Sequence, residues 1–222
     1  MDSALVLGFG ALLTAVSALA NWWAVAGTAA GSGARRRVEV LAKPATMVGL
    51  FLVALVLGSA TTQTRHWLLI AIVLCALGDV FLLGEGEGRF RAGLAAFLLG
   101  HLAYIAAFLA HGLDRPAWSV VGIAILSAAL VLGRRILPTV WAQSGPALGV
   151  PVAAYMGVIG AMGVTGWATG RFLVGLGTAL FVTSDTLLAL NRFVAARAHA
   201  RLAVMVTYHL AQVLIVVGLL GT

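Results

Sequence analysis

Eight apolar runs, at about 4–27, 44–60, 67–84, 91–111, 117–133, 146–167, 171–190 and 201–221, take up most of this chain. Each is long enough to cross the hydrocarbon core of a bilayer as a helix. A spanning chain must satisfy its backbone hydrogen bonds internally, which leaves helices or a closed barrel. A barrel would show alternating segments of about ten residues, and none occurs. The composition agrees: 62% hydrophobic and 9% charged residues, against roughly half and a quarter in soluble domains. The longest connection is about a dozen residues. Residues 1–222 are therefore expected to form a single all-α domain of eight transmembrane helices. The first run lacks the basic start of a signal peptide, its early charge being Asp2, and is expected to be retained.

A net charge of +7 raises the question of nucleic acid, but the placement of the charges points elsewhere. Eleven of the 14 Lys and Arg fall in the odd-numbered connections: Arg35, Arg36, Arg37, Lys43, Arg89, Arg91, Arg134, Arg135, Arg192, Arg197 and Arg201. Arg65, Arg115 and Arg171 fall in the others. This is the positive-inside pattern, so the odd connections are read as cytoplasmic and both termini as outside, with membrane lipid rather than nucleic acid as the partner. The triple arginine is expected to touch anionic headgroups. Trp67, Trp118 and Trp167 are read as an outer aromatic belt, and Trp22, Trp23 and Trp141 as an inner one. Thirteen Arg to one Lys suggests a GC-rich bacterial source, hence an inner membrane. Cys75, the single cysteine, reads as a small helix-packing residue.

Of seven acidic residues, Asp2, Glu39, Glu85, Glu87 and Asp114 sit at helix ends or in loops. Asp79, in Gly78-Asp79-Val80-Phe81-Leu82-Leu83, and Asp185, in Ser184-Asp185-Thr186-Leu187-Leu188, lie inside apolar runs. A carboxylate in hydrocarbon is costly and faces a protein interior or a wet cavity, so the chemistry is expected there. Other polar residues interrupt the same runs. Lys43-Pro44 is read as opening the second helix, with proline in the first turn. Lys43 would then snorkel to headgroups or meet a substrate phosphate. His101 and Tyr104 share a helix face. Tyr155 follows Pro151-Val152. Tyr208, His209 and Gln212 give the last run a polar side, and Asn21 marks the first. Glycines 157, 160, 163 and 166 form a smooth face for helix contact. Gly84–Gly88 carries two carboxylates that would repel phosphate, so it reads as a chain reversal. Gly27-x-x-x-Gly31 reads as loop.

Asp79 is followed 22 residues later by His101-Leu102-Ala103, and Asp185 24 residues later by His209-Leu210-Ala211. This spacing suggests a 4+4 parallel internal repeat. Counted at 1.5 Å per residue, Lys43, Asp79, Asp185, Tyr208 and His209 fall in the cytoplasmic half and His101, Tyr104 and Gln212 nearer the midplane, which suggests a polar chamber near the cytoplasmic leaflet, suited to an amphiphile.

Several of these motifs resemble the YhhN-like lysoplasmalogenase family from about residue 40 onward. They are Lys43-Pro44; Gly78-Asp79-Val80-Phe81-Leu82; Phe90-x-x-Gly93-x-x-x-Phe97-x-x-x-His101-x-x-Tyr104; Pro151-Val152-x-x-Tyr155; Phe181-x-x-Ser184-Asp185 with Arg192-Phe193; and Thr207-Tyr208-x-x-x-Gln212. The resemblance implies an eight-helix membrane hydrolase acting on a lysophospholipid. It would cleave the vinyl-ether bond of a lysoplasmalogen to a fatty aldehyde and a glycerophospho-headgroup alcohol, with Asp79 and Asp185 as the catalytic pair. Substrate-binding candidates are Lys43, His101, Tyr104, Tyr155, Ser184, Tyr208, His209 and Gln212.

Vinyl ethers yield to acid, through an oxocarbenium ion that water then captures. Two buried carboxyl groups supply what this needs, because burial and mutual repulsion let one of them keep its proton while the other stays an anion. No cofactor is required. Two other mechanisms use the same residues. His101, His209, Asp79 and Asp185 are suitable zinc ligands, which a chelator would expose. A proton-coupled transporter would instead show solute flux with no change in any lipid.

Overall fold

The computed structural model describes residues 2–27, 33–58 and 60–221. Nine α-helices follow one another, and no strand occurs among the described residues. They are α1 (Ser3–Ala26), α2 (Gly33–Val56), α3 (Thr62–Leu82), α4 (Glu87–His111), α5 (Ser119–Leu132), α6 (Ile136–Ser144), α7 (Pro146–Ala168), α8 (Phe172–Ala189) and α9 (Ala200–Leu220). Seven are long and apolar enough to cross a membrane, or eight spans if the bent pair α5 and α6 counts as one. The helices group into two compact units, one running to His111 and taking in the chain from Val216, the other covering Gly112–Ile215.

In the first unit α1 and α2 pack antiparallel at backbone distance. A Cβ on Gly49 would stand 2.7 Å from the Thr14 nitrogen, and the Thr46 hydroxyl meets that of Ser17 at 3.2 Å. Small residues also let α3 approach α4, where Gly78 lies under the Phe97 ring and Gly100 against Cys75. Cys75 is the buried packing residue that its size predicts.

Lys43-Pro44 does not open α2. The helix starts eleven residues earlier, at Gly33, and Pro44 lies inside it. The basic stretch is helical because its charges find partners at helix ends. Arg36 pairs with Glu39 one turn on, at 3.1 Å, and donates to the Leu83 carbonyl that closes α3. Arg35 lies 4.7 Å over the Trp23 ring at the end of α1. Pro44 leaves the Val40 carbonyl without its helical donor, a defect the flanking turns tolerate. The Gly27-x-x-x-Gly31 loop falls largely outside the described residues.

The connecting end of the α2–α3 hairpin is closed by Arg65. Its guanidinium donates to the carbonyls of Ala54 (2.6 Å), Leu57 (3.0 Å) and Gly58 (2.9 Å). A helix end leaves such acceptors unsatisfied, and one side chain takes up three of them. Gly58 has φ +62°, and a Cβ there would stand 1.5 Å from the Leu220 carbonyl oxygen. Gly58→Ala is therefore expected to destabilise the protein by more than about 1 kcal/mol, read as a lower unfolding midpoint in detergent.

In the second unit the glycine face of α7 does bring helices together. Gly160 abuts Leu126 of α5, while Gly163 and Gly166 meet Val182 and Thr178 of α8. Gly157 has open space around it. The fifth apolar run is a 3-10 turn (Pro116–Trp118) followed by α5, and α6 leaves it at a 50° bend. The break falls at Gly133, and Pro138 sits in the first turn of α6, where an N–H would have no intrahelical partner anyway. Trp167 corrects the expected outer belt. It is buried, with its ring 6.3 Å from Trp118 and edge-on to Phe172, because Gly175 leaves room for the indole.

Candidate active site

Each unit holds one of the two carboxylates in a bonded setting. In the first, Asp79 stands three residues before the end of α3 and is 1% exposed. Lys43 reaches it from the adjoining helix α2, with Nζ 3.0 Å from Oδ1 and the lysine side chain 7% exposed. Taking two charges out of water costs several kcal/mol per ion, so such a pair persists only with close geometry. The lysine that sequence alone offered to headgroups or to a phosphate thus meets the carboxylate. The surplus of arginine could have flagged it: one lysine stands among thirteen arginines, on the stripe of α2 that faces α3.

His101 and Tyr104 are fully buried in α4, one turn apart. The Tyr104 ring stacks on Phe108 at 6.2 Å. Asn21, on α1, is buried with neither amide atom hydrogen-bonded.

In the second unit Asp185 lies near the end of α8, half-buried. The Tyr155 hydroxyl, from α7, donates to its Oδ2. Sequence placed Tyr155 beside a pocket but gave no hint of this bond, which joins residues 30 apart. Next to Asp185, the Ser184 hydroxyl donates to the Val204 carbonyl of α9 at 3.0 Å, so it ties two helices together. Tyr208 is buried edge-on to Phe181 at 5.4 Å. Its neighbour His209 lies with ring centroids 5.4 Å away, and Gln212 is buried one turn on. Among the described residues no three His, Cys, Asp or Glu side chains are grouped to hold a metal ion.

Helices of this length and hydropathy, with a bonded carboxylate in each unit, define an integral multi-pass membrane protein carrying ionisable groups within its spans. The chain belongs to the YhhN family, whose model matches residues 38–219. It is similar to bovine lysoplasmalogenase TMEM86A, 29% identical over 183 residues (78% of this chain, 73% of the relative). It is 34% identical over 150 residues to human lysoplasmalogenase TMEM86B (68% and 62%). It is 30% identical over 161 residues to a lysoplasmalogenase of Mycobacterium tuberculosis (70% and 61%). No solved structure matches.

Proposed function

We propose that this protein is a membrane lysoplasmalogenase, a hydrolase that splits the vinyl-ether bond of a lysoplasmalogen into a fatty aldehyde and glycerophosphoethanolamine or glycerophosphocholine. Family membership and relatives of that name support the activity. The observation that carries the mechanism is that each unit fixes one buried or half-buried carboxyl group by a side chain from a neighbouring helix: Asp79 by the Lys43 ammonium, Asp185 by the Tyr155 hydroxyl.

An ion pair is made by charged partners, so Asp79 enters the reaction as the anion. Asp185, held by the Tyr155 hydroxyl, is assigned the role of proton donor. It protonates the vinyl carbon β to the ether oxygen, and the π electrons form the new C–H bond, leaving an oxocarbenium ion. Asp79 stabilises this cation and orients water. Water adds to the cationic carbon and loses a proton to a carboxylate. The resulting hemiacetal gives its hydroxyl proton to the carboxylate while its C–O bond to the glycerol oxygen breaks, that oxygen takes a proton from the other, protonated carboxyl group and leaves, and the carbonyl of the aldehyde forms. Glycosidases pass a similar cation between two carboxyl groups. His101, Tyr104, Tyr208, His209 and Gln212 are the polar residues assigned to water and the ether oxygen, and Tyr155 orients Asp185.

This reading keeps the arginine-rich connections cytoplasmic, both termini outside and the two halves related as a parallel repeat, in a bacterial inner membrane. The purified protein is expected to release fatty aldehyde from a lysoplasmalogen and none from its saturated alkyl-ether analogue. Release from neither, by folded protein, would overturn the assignment, and solute flux in proteoliposomes without lipid cleavage would favour transport.

A further inference from the structure

Charged side chains from both neighbouring helices meet where α3 ends. Arg36 of α2 donates through Nη2 to the Leu83 carbonyl. Arg89 of α4 folds back across Gly84, where a Cβ would stand 2.6 Å from its Nη1. Two guanidinium groups thus lie on adjacent residues at the C-terminal end of α3. Glu85 follows directly and is exposed.

Helix capping accounts for only part of this. A guanidinium carries five N–H donors. Arg36 spends one on Leu83 and faces Glu39 through Nη1, with its side chain 48% exposed. Among the described residues Arg89 has neither a hydrogen bond nor an ion pair, and the same holds for Glu85. Glu87 is offset by Arg91, 3.8 Å away one turn on. The two carboxylates of the loop oppose phosphate on the loop's own N–H groups, but these arginines reach in from the helices on either side.

The cluster is tied to the buried carboxylate. The Leu83 N–H bonds the Asp79 carbonyl at 3.1 Å, and residues four apart share a helix face. Two rungs therefore join α2 to α3: Lys43 to Asp79 and, one turn further along α3, Arg36 to Leu83. From Asp79 to Leu83 and Gly84 the helix rises about 6–8 Å.

We infer that this end of α3 is the headgroup subsite for a zwitterionic lysolipid, with Arg36 and Arg89 on its phosphate and Glu85 on its ammonium. The inference rests on the lysoplasmalogenase reading and deepens it. Paired guanidinium groups suit phosphate oxygens, and a carboxylate beside them suits an ammonium, so the two signs in one turn match a headgroup that carries both. The spacing fits as well. The phosphorus of a lysoplasmalogen lies six bonds from the vinyl carbon that becomes the cation, about 7 Å in an extended chain. A phosphate held at Gly84 therefore brings the scissile ether level with Asp79. Binding energy from the headgroup is then used to align the reacting bond.

The test measures binding of a tritiated, saturated 1-O-alkyl lysoglycerophosphoethanolamine to the full-length protein in phosphatidylcholine nanodiscs. This ether cannot be cleaved, so binding is read without turnover. Arg89→Ala breaks no bond described among these residues and is expected to raise Kd at least about tenfold, as loss of a hydrogen bond to a charged group does. The 1-O-alkylglycerol, which lacks the phosphate, should bind wild type at least about tenfold more weakly and be indifferent to Arg89→Ala. Glu85→Gln should weaken the ethanolamine ligand about threefold and leave 1-O-alkyl glycerophosphate no weaker, a small effect for an exposed charge. With a cleavable lysoplasmalogen, Arg89→Ala should act on KM more than on kcat. An unchanged Kd in Arg89→Ala overturns the subsite, and so does an equal loss for the alkylglycerol. Displacement of the ligand by phosphatidylglycerol in the nanodisc means a site for any membrane phosphate and also overturns it. Any of these results from protein that releases aldehyde leaves the activity standing. Phosphate-dependent binding by protein that releases no aldehyde sustains the subsite while the lysoplasmalogenase reading fails.

Discussion

Asp185→Asn is expected to lower aldehyde release about 10²- to 10⁴-fold, the range a positioned proton donor contributes, while the protein folds as wild type. The amide is isosteric with the carboxyl, and its oxygen still accepts from the Tyr155 hydroxyl that now bonds Oδ2. It cannot deliver a proton to carbon. Asp79→Asn should lose activity to a similar degree, but it also leaves the Lys43 ammonium buried without its counter-charge. Asp185→Asn is therefore the cleaner of the two. The comparison needs kcat/KM alongside an unfolding midpoint for each variant. Full activity in Asp185→Asn would remove its proton-donor role.

Lys43→Met is expected to destabilise the protein by about 3–5 kcal/mol, because breaking a buried pair from one side strands the other charge. Asp79 is 1% exposed and cannot recover water. In Lys43→Met/Asp79→Asn that stranded charge is gone, so most of the lost stability should return, although activity should not. Thermal unfolding of the two single variants and the double variant reads the coupling directly. Equal destabilisation in Lys43→Met and the double variant would mean that the pair is not what holds α2 to α3 at this level.

Long apolar runs and the two carboxylates inside them were legible in the sequence, because hydrocarbon tolerates few alternatives to an unbroken helix. The start of α2 was not. Arg35 and Arg36 read as a loop because their composition is polar, yet their charges are spent on Glu39, the Trp23 ring and the Leu83 carbonyl. The bend between α5 and α6 was hidden in a stretch whose helical part, Ile136–Ser144, read as connection. Trp167 carries the amphipathic side chain of a belt residue, but whether its indole faces lipid or Gly175 is decided by packing. The candidate site was legible as a set of residue types rather than as bonds. Lys43 with Asp79, and Tyr155 with Asp185, are 36 and 30 residues apart, and no local pattern records either pairing.

The Lys43–Asp79 pair has a consequence for how the chain enters the bilayer. A lone aspartate carried into a membrane on its own helix costs about 2.5–3.5 kcal/mol at the helix centre. Here the counter-charge rides on the preceding helix, and Arg65 fastens the opposite ends of the same two helices. Inserted together as a hairpin, α2 and α3 bring carboxylate and ammonium in as one neutral pair, latched at the far end before α4 follows. The order in which the spans leave the translocation machinery thus shelters the very group on which the chemistry is proposed to depend.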